Sequence, residues 1–315
     1  MVTPVTIRYD PRTHGQTWDA ILTTLSDPRW LSLLSGHHLI RFRGFPVHGR
    51  FSGFAHALCP ELSPYTGHTD RDPVDKNTYT ATTIPGLWPI PLHSEMSYLP
   101  NYPRRLLFYC IRNQGLGGDS VFANNVEIWQ RLPSALRTSL KTHGVHYIRR
   151  FPPRHSRYRK ALGWTGAFQS WQDHLGVHTQ EQAEEVLQGR PHTWMNGWLD
   201  LSQTLPAIRC DPEEAWFNQL PIVHINRHIH GQAAVWVHQR ARERLGFSVL
   251  DATLGDGTPL TEQELQAILK AQQQSATRVP IQAEDVLYFN NLILSHGRQR
   301  YLGRRTLHAA FDGLQ

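Results

Sequence analysis

The feature that most constrains this chain is a set of short, apolar, β-prone runs that do not alternate with helices. Such runs occupy residues 106–112, 145–150, 285–289 and 306–311. Helical periodicity is confined to other stretches, chiefly residues 17–25, 51–59 and 260–274. A doubly wound parallel sheet needs strands and helices in alternation. We therefore expect a mainly β fold, with an antiparallel core and helical decoration.

Length and composition predict one ordinary globular domain. The chain has 315 residues, of which 40% are hydrophobic, and no linker-like segment divides it, so we expect a single domain over residues 1–315. No apolar run is long enough to cross a membrane, and the first residues lack the apolar core of a signal peptide. Three cysteines without close spacing give neither a disulfide framework nor a zinc site. A cytoplasmic protein without a membrane partner is expected.

The charge distribution argues against a nucleic-acid partner. The formal net charge is +6, but the basic residues are scattered rather than gathered on one element. Mild positive charge suits an anionic small substrate equally well. The chain also has 19 histidines, which justifies a search for metal ligands.

The strongest local signal is the pair His93 and Glu95. In a strand, residues two apart point to the same face, so an imidazole and a carboxylate could meet at one point. His296, at the end of a later apolar run, is the candidate third ligand. Two histidines and one carboxylate with open positions are typical of non-haem Fe(II) oxygenases. A zinc hydrolase uses similar ligands, although the helical spacing of its usual motif is missing here.

Two further features would suit a bound dicarboxylate. Arg305 follows His296 by nine positions, and a guanidinium can bind a carboxylate with two hydrogen bonds. Ser120 follows the turn at residues 117–118 and offers a hydroxyl. Each feature alone has an ordinary structural explanation, because turns and exposed arginines are common.

The stretches HSEMSYLPNYPRRLLFYCIRNQGLGGDS and EDVLYFNNLILSHGRQRYLGRRTLHAAF resemble the two metal-motif regions of the taurine dioxygenase group of Fe(II)/2-oxoglutarate oxygenases. The stretches GVHYIR and EEAWFNQ, together with Trp164 and His224, are similar to the branch containing clavaminate synthase-like and syringomycin-pathway amino-acid hydroxylases. The resemblance covers roughly residues 36–312.

The resemblance implies a double-stranded β-helix, or jelly roll, with lid insertions at residues 70–88 and within 151–200. It implies that His93, Glu95 and His296 bind Fe(II), and that Arg305 and Ser120 hold the C5 carboxylate of 2-oxoglutarate. The family usually has threonine at the position of Ser120. Taurine-type members carry a second arginine four residues after the first, where this chain has Ala309, so a taurine substrate is not expected.

The implied activity is hydroxylation of an unactivated C–H bond with O2 and 2-oxoglutarate, which releases succinate and CO2. The substrate would be an amino acid or a derivative from specialised metabolism, free or bound to a carrier protein. Halogenases of this type lack the carboxylate, so Glu95 argues against halogenation. The substrate contacts that we predict are Met96, Tyr98, Arg149, Asn218 and Gln219.

Several alternatives stay open at the level of the sequence. The same iron site could catalyse desaturation or cyclisation, because the outcome depends on how the substrate is placed. From other classes, a zinc-dependent hydrolase and a non-catalytic β-barrel binding module are possible. The sequence does not give the substrate, the stereochemistry or the oligomeric state.

Overall fold

A computed structural model describes residues 2–65, 67, 71–82, 84–158, 169–210 and 213–314. Its strands are β1 Val5–Arg8, β2 Leu39–Arg43, β3 Pro73–Asp75, β4 Thr78–Thr80, β5 Ile90–His93, β6 Pro103–Gly117, β7 Ser120–Asn124, β8 Val145–Phe151, β9 Thr193–Met195, β10 Trp198–Asp200, β11 Gln203–Leu205, β12 Ile208–Cys210, β13 Glu214–Trp216, β14 Leu250–Leu254, β15 Ala276–Val279, β16 Val286–Asn290, β17 Leu294–Arg298 and β18 Tyr301–Leu314. Its helices are α1 Pro11–His14, α2 Trp18–Leu25, α3 Pro28–Ser35, α4 Phe51–Leu58, α5 Asn125–Arg131, α6 Ser134–His143, α7 Trp171–Leu175, α8 Gln180–Val186, α9 Leu220–Val223, α10 Arg227–His230, α11 Gln232–Leu245 and α12 Glu262–Ser275.

The described chain divides into two compact units that interleave along the sequence. Unit 1 comprises Met1–Arg131, Arg209–Phe217 and Lys270–Gln315, and unit 2 comprises Leu132–Ile208 and Asn218–Leu269. A single domain over residues 1–315 stays a prediction. Trp164 and the turn expected at residues 211–212 lie outside the described residues.

Unit 1 contains two sheets that enclose an apolar core. A seven-stranded sheet has the order β1-β2-β16-β6-β18-β4-β3, and a four-stranded sheet has the order β15-β7-β17-β5. All neighbours pair antiparallel except β1 and β2. Side chains of both sheets, among them Phe108, Phe122 and Phe289, form one buried cluster between them. This arrangement confirms the predicted mainly β fold with an antiparallel core.

The two-sided burial of strand β6 at residues 106–110 explains why its sequence is apolar without interruption over that stretch. Leu106 and Phe108 point into the core between the sheets, whereas Leu107 and Tyr109 pack in a second cluster with helices α2 and α4. A strand that is buried on both faces has no need for polar alternation. Helices α2 and α4 therefore cover the outer face of the seven-stranded sheet.

Unit 2 is built on strand β8, which pairs with β10, β11 and β14. Its residues alternate between buried and partly exposed, as the sequence predicts for a sheet with one covered face. Thr179 is the N-cap of helix α8 and forms a capping box with Gln182. Helix α11 and strand β14 were not predicted, because their sequences show only weak periodicity. No helix within the described ranges is long and apolar enough to span a membrane.

Candidate active site

Three predicted ligands converge inside unit 1. One ligand atom from each of His93, Glu95 and His296 lies within 4.8 Å of the other two, and no other such group of three occurs among the described residues. The Nε2 atoms of His93 and His296 lie 3.9 and 3.6 Å from Oε2 of Glu95. All three side chains are largely buried. The structure therefore brings together residues that are about 200 positions apart in the sequence.

Sheet register explains how the two histidines meet. His93 is the last residue of β5 and His296 is the middle residue of β17, and the antiparallel pairing sets them opposite each other. Their ring centroids lie 4.3 Å apart. Cross-strand neighbours share one face of a sheet, so both imidazoles point into the same space.

The expectation that His93 and Glu95 share a strand is wrong. Strand β5 ends at His93, and Glu95 lies in the turn that follows. The next residue, Met96, has a φ of 56°, a left-handed conformation that is costly for a residue other than glycine. The turn, rather than strand alternation, brings the carboxylate round to the imidazoles.

Hydrogen bonds fix the chemical form of the ligands. Nδ1 of His93 lies 2.9 Å from the carbonyl oxygen of Pro91, so this nitrogen carries the proton and Nε2 keeps its lone pair. Burial, with the neighbouring His296, lowers the pKa of His93 to about 4, so the ring is neutral at pH 7. Burial raises the pKa of Glu95, but Arg71 and His296 outweigh it and hold the pKa well below its usual range. Two imidazole nitrogens and one carboxylate are ligands that suit Fe(II).

Buried donors around the ligands also fit a site made for bound groups. Nδ1 of His296, Nε of Arg71, Nε of Arg298 and Nε of Arg305 are buried without a hydrogen-bond partner within the described part of the chain. Buried polar nitrogens normally have partners, so such a concentration indicates ions, ligands or water between them.

The predicted co-substrate residues lie together as expected. Nη2 of Arg305 is 3.5 Å from Oγ of Ser120, and both residues are at least partly buried. Ser120 lies opposite Arg298 in the β7–β17 pairing. Arg298 is two residues after His296, which is roughly 6.6 Å along the strand. Burial lowers the pKa of Arg305 to about 10, so the guanidinium is still charged at neutral pH.

Two polar networks that sequence reasoning missed hold the ligand segments. The Asn125 amide donates to Ser94 Oγ at 3.1 Å and to the Leu292 carbonyl at 2.9 Å, and it accepts from Ser295 Oγ at 2.6 Å. Ser94 and Ser295 are sequence neighbours of the three ligands. Nothing in the local sequence marks Asn125, because its role depends on two segments that fold around it.

The side chain of Asn291 forms hydrogen bonds with the backbone of Glu95. Its Oδ1 accepts from the Glu95 N–H at 2.7 Å, and its Nδ2 donates to the Glu95 and Pro103 carbonyls at 3.0 and 2.8 Å. Asn291 is fully buried. In the sequence, only the position of Asn291 directly after the apolar strand β16 could have indicated a structural role.

Asn291→Ala is expected to lower the free energy of unfolding by about 2–4 kcal/mol, because three buried backbone groups lose their partner. Iron affinity should fall about 10–100-fold, as it does when an outer support of a metal ligand is lost. Asn113→Ala is the control, since Asn113 donates to the Ile281 carbonyl elsewhere in unit 1. Denaturant unfolding and Fe(II) titration measure both effects, and equal iron affinity in the two variants would contradict this role.

The predicted substrate residues fall in both units. Met96 and Tyr98, in unit 1, are buried directly after Glu95. Arg149, Asn218 and Gln219 belong to unit 2. The amide of Asn218 is engaged with the backbone, because it donates to the Ala207 carbonyl and accepts from the Leu220 N–H. The substrate roles of all five residues stay predictions.

The comparison with known families shows the family to which the chain belongs. The sequence matches the family described as taurine catabolism dioxygenase TauD, TfdA family, over residues 11–311. The chain belongs to this TauD/TfdA family. It is an Fe(II)- and 2-oxoglutarate-dependent dioxygenase, which confirms the predicted enzyme class and cofactors.

The TauD/TfdA chain is also similar to two curated proteins and to a solved structure. It is 27% identical over 290 residues to the dapdiamide synthesis protein DdaC of Enterobacter agglomerans, covering 88% of this chain and 83% of that one. It is 25% identical over 281 residues to a clavaminate synthase-like protein of Arabidopsis thaliana, covering 86% and 80%. A crystal structure of a taurine dioxygenase from Burkholderia xenovorans shares the fold with a TM-score of 0.51 at 13% identity, covering 99% of this chain and 86% of that one. The jelly-roll prediction is thereby confirmed.

Proposed function

We propose that this TauD/TfdA enzyme hydroxylates an unactivated C–H bond of an amino acid or an amino-acid derivative in specialised metabolism. The observation that carries the proposal is that His93, Glu95 and His296 converge near the Arg305–Ser120 pair, with Ser120 aligned two residues along the sheet from His296. The similarity to a dapdiamide synthesis protein supports a role in biosynthesis. The substrate is either free or attached to a carrier protein.

In this proposal His93, Glu95 and His296 hold Fe(II), and Arg305 with Ser120 holds the C5 carboxylate of 2-oxoglutarate. Bound iron supplies the activation of O2: one oxygen atom enters succinate as CO2 leaves, and the other enters the substrate as a hydroxyl group. The protein residues bind, orient and shield the reactants. The substrate contacts in this proposal are those predicted from the sequence, namely Met96, Tyr98, Arg149, Asn218 and Gln219.

Anaerobic addition of Fe(II) and 2-oxoglutarate tests the site, because their complex gives a metal-to-ligand charge-transfer band. Oxygen and a panel of amino acids then test the activity by succinate release and product mass. A gain of one oxygen atom supports hydroxylation, whereas a loss of two hydrogen atoms indicates desaturation or cyclisation by the same site. Absence of the band would contradict the proposal. The hydrolase and the binding module are not proposed further, because the family is one of dioxygenases.

Ser120→Ala is expected to raise KM for 2-oxoglutarate about 3–10-fold with little change in kcat, since one hydrogen bond to the co-substrate is lost. Ser120→Thr, which keeps the hydroxyl, is the control and should stay close to the wild type. The measurement is succinate formation at varied 2-oxoglutarate. Equal KM values for both variants would remove Ser120 from the co-substrate site.

A further inference from the structure

Arg71 is a buried cation beside the metal ligands, and the proposed function gives it no role in binding substrate or co-substrate. Its side chain is 7% exposed, and its Nη2 lies 3.0 Å from Oε2 of Glu95. Its Nη1 donates to the Ala81 carbonyl. The guanidinium carbon lies 4.6 Å from the Tyr65 ring centroid and 5.1 Å from that of Phe311. The side chain is therefore held in one place by contacts on several sides.

Arg71 does not lie on any of the strands that carry the other site residues. The residue directly precedes the β3–β4 hairpin, which pairs with β18 through His308–Ala310. On β18 the residues that face the core after Arg305 are Leu307, Ala309 and Phe311, none of which is charged. The hairpin thus adds a second arginine to a face where β18 has only apolar side chains.

The N–H groups of Arg71 are not all used. The Nε–H is buried and has no hydrogen-bond partner among the described residues. The terminal nitrogens carry four hydrogens, and they donate to Glu95, to the Ala81 carbonyl and to the Tyr65 hydroxyl, so one terminal hydrogen remains beside the Nε–H. Adjacent N–H groups on one edge of a guanidinium match the two oxygens of a carboxylate.

The charges around the site also favour an additional anion. The described charged groups there are Glu95 and Asp119 on the negative side and Arg71, Arg298 and Arg305 on the positive side. Arg298 donates to the carbonyls of Ile84, Pro85 and Trp88. Fe(II) and the 2-oxoglutarate dianion cancel each other, so the loaded site keeps one positive charge in excess. An uncompensated buried charge is costly, and an anionic substrate group would neutralise it.

We propose that Arg71 binds a carboxylate of the organic substrate next to the metal. The inference rests on the proposed function and narrows it: the substrate is an acid with a free carboxylate, such as a free amino acid, rather than an aminoacyl thioester on a carrier. Because Arg71 contacts Glu95 directly, a carboxylate bound to it lies beside the iron ligands. The carbons a few bonds from that carboxylate are then the ones presented for oxidation.

The test compares free L-amino acids with their carboxamides on the full-length protein loaded anaerobically with Fe(II) and 2-oxoglutarate. Calorimetry gives the binding constants, and succinate release after addition of O2 gives kcat/KM. Wild-type protein should bind the best acid at least about 30-fold more tightly than its amide, because the amide leaves the excess positive charge of the site uncompensated. Arg71→Gln should weaken acid binding at least about 30-fold and leave amide binding nearly unchanged.

Two further variants keep the test decisive. Arg105→Gln removes another arginine–carboxylate contact of unit 1, the 3.4 Å pair with Asp312, and should bind both compounds like the wild type. Arg71→Lys keeps the charge without the two-pronged geometry, so it should retain a reduced preference for the acid. It serves as the second variant if Arg71→Gln does not fold.

Other outcomes would overturn the inference. In one such outcome, Arg71→Gln loses the charge-transfer band of the Fe(II)–2-oxoglutarate complex while Arg105→Gln keeps it. That result would mean that Arg71 supports Glu95 and does not bind the substrate carboxylate. The inference is also contradicted if the wild-type protein binds amides or carrier thioesters as tightly as acids. It is likewise contradicted if the charge-transfer band forms but no acid binds. A wild type without the band contradicts the proposed function itself, which separates the two failures.

Discussion

His296→Ala is expected to abolish Fe(II) binding and to reduce succinate formation to background. In the proposed iron site His296 supplies one of three ligand atoms, and the remaining two would leave the metal poorly held. The loss should exceed the about 10–100-fold that removal of an outer support costs. The measurements are anaerobic Fe(II) titration, the charge-transfer band with 2-oxoglutarate, and succinate formation under O2.

His308→Ala is the matched control, because His308 lies on β18 of the same unit and packs near Phe51 and Tyr109 instead of the ligands. Both variants remove a partly buried ring, and each should cost about 1–3 kcal/mol of unfolding free energy. Only His296→Ala should lose iron. Undiminished turnover in His296→Ala would exclude this histidine from the site. Near-UV circular dichroism checks that both variants are folded, because unfolding would abolish the signal.

Arg305→Lys is expected to raise KM for 2-oxoglutarate about 10–100-fold, with a smaller effect on kcat. Lysine cannot form two parallel hydrogen bonds with a carboxylate, and hydrogen bonds to charged groups contribute about 1.5–3 kcal/mol. Burial already lowers the pKa of the arginine to about 10, and a lysine in the same place would lose its proton more readily. The KM of the variant should therefore rise further as the pH is increased.

Arg304→Lys tests whether the effect belongs to this position. Arg304 is the preceding residue on β18 and is exposed, so its substitution should leave KM unchanged. Initial rates of succinate formation at varied 2-oxoglutarate and at several pH values give the comparison. If the two lysine variants have the same KM, the co-substrate is anchored elsewhere.

Much of the site followed from residue types and spacing. Histidine, glutamate and arginine at positions 93, 95, 296 and 305 were predicted together, because metal and carboxylate binding require those side chains. The reason given for His93 and Glu95 was wrong, since a turn with a left-handed residue replaces the expected strand. Sequence periodicity predicts strands well, but it does not show where a strand ends within an irregular segment.

The supporting residues could not be predicted. Arg71 lies in a segment rich in proline, glycine and threonine without periodicity, and nothing there indicates that it reaches Glu95. Asn291 and Asn125 look like ordinary turn residues after apolar strands. Their importance depends on hydrogen bonds to segments 31 to 196 positions away, which no local pattern encodes.

The sequence by itself determined the mainly β architecture and the chemical character of the site, because side-chain alternation and ligand chemistry are local properties. Only the tertiary structure decided how β5 and β17 pair, which buried amides hold the ligand segments, and where a second arginine enters. Those features depend on register and on burial between distant segments. Burial is also what makes each of them consequential, since a polar group removed from water must find its partner within the fold.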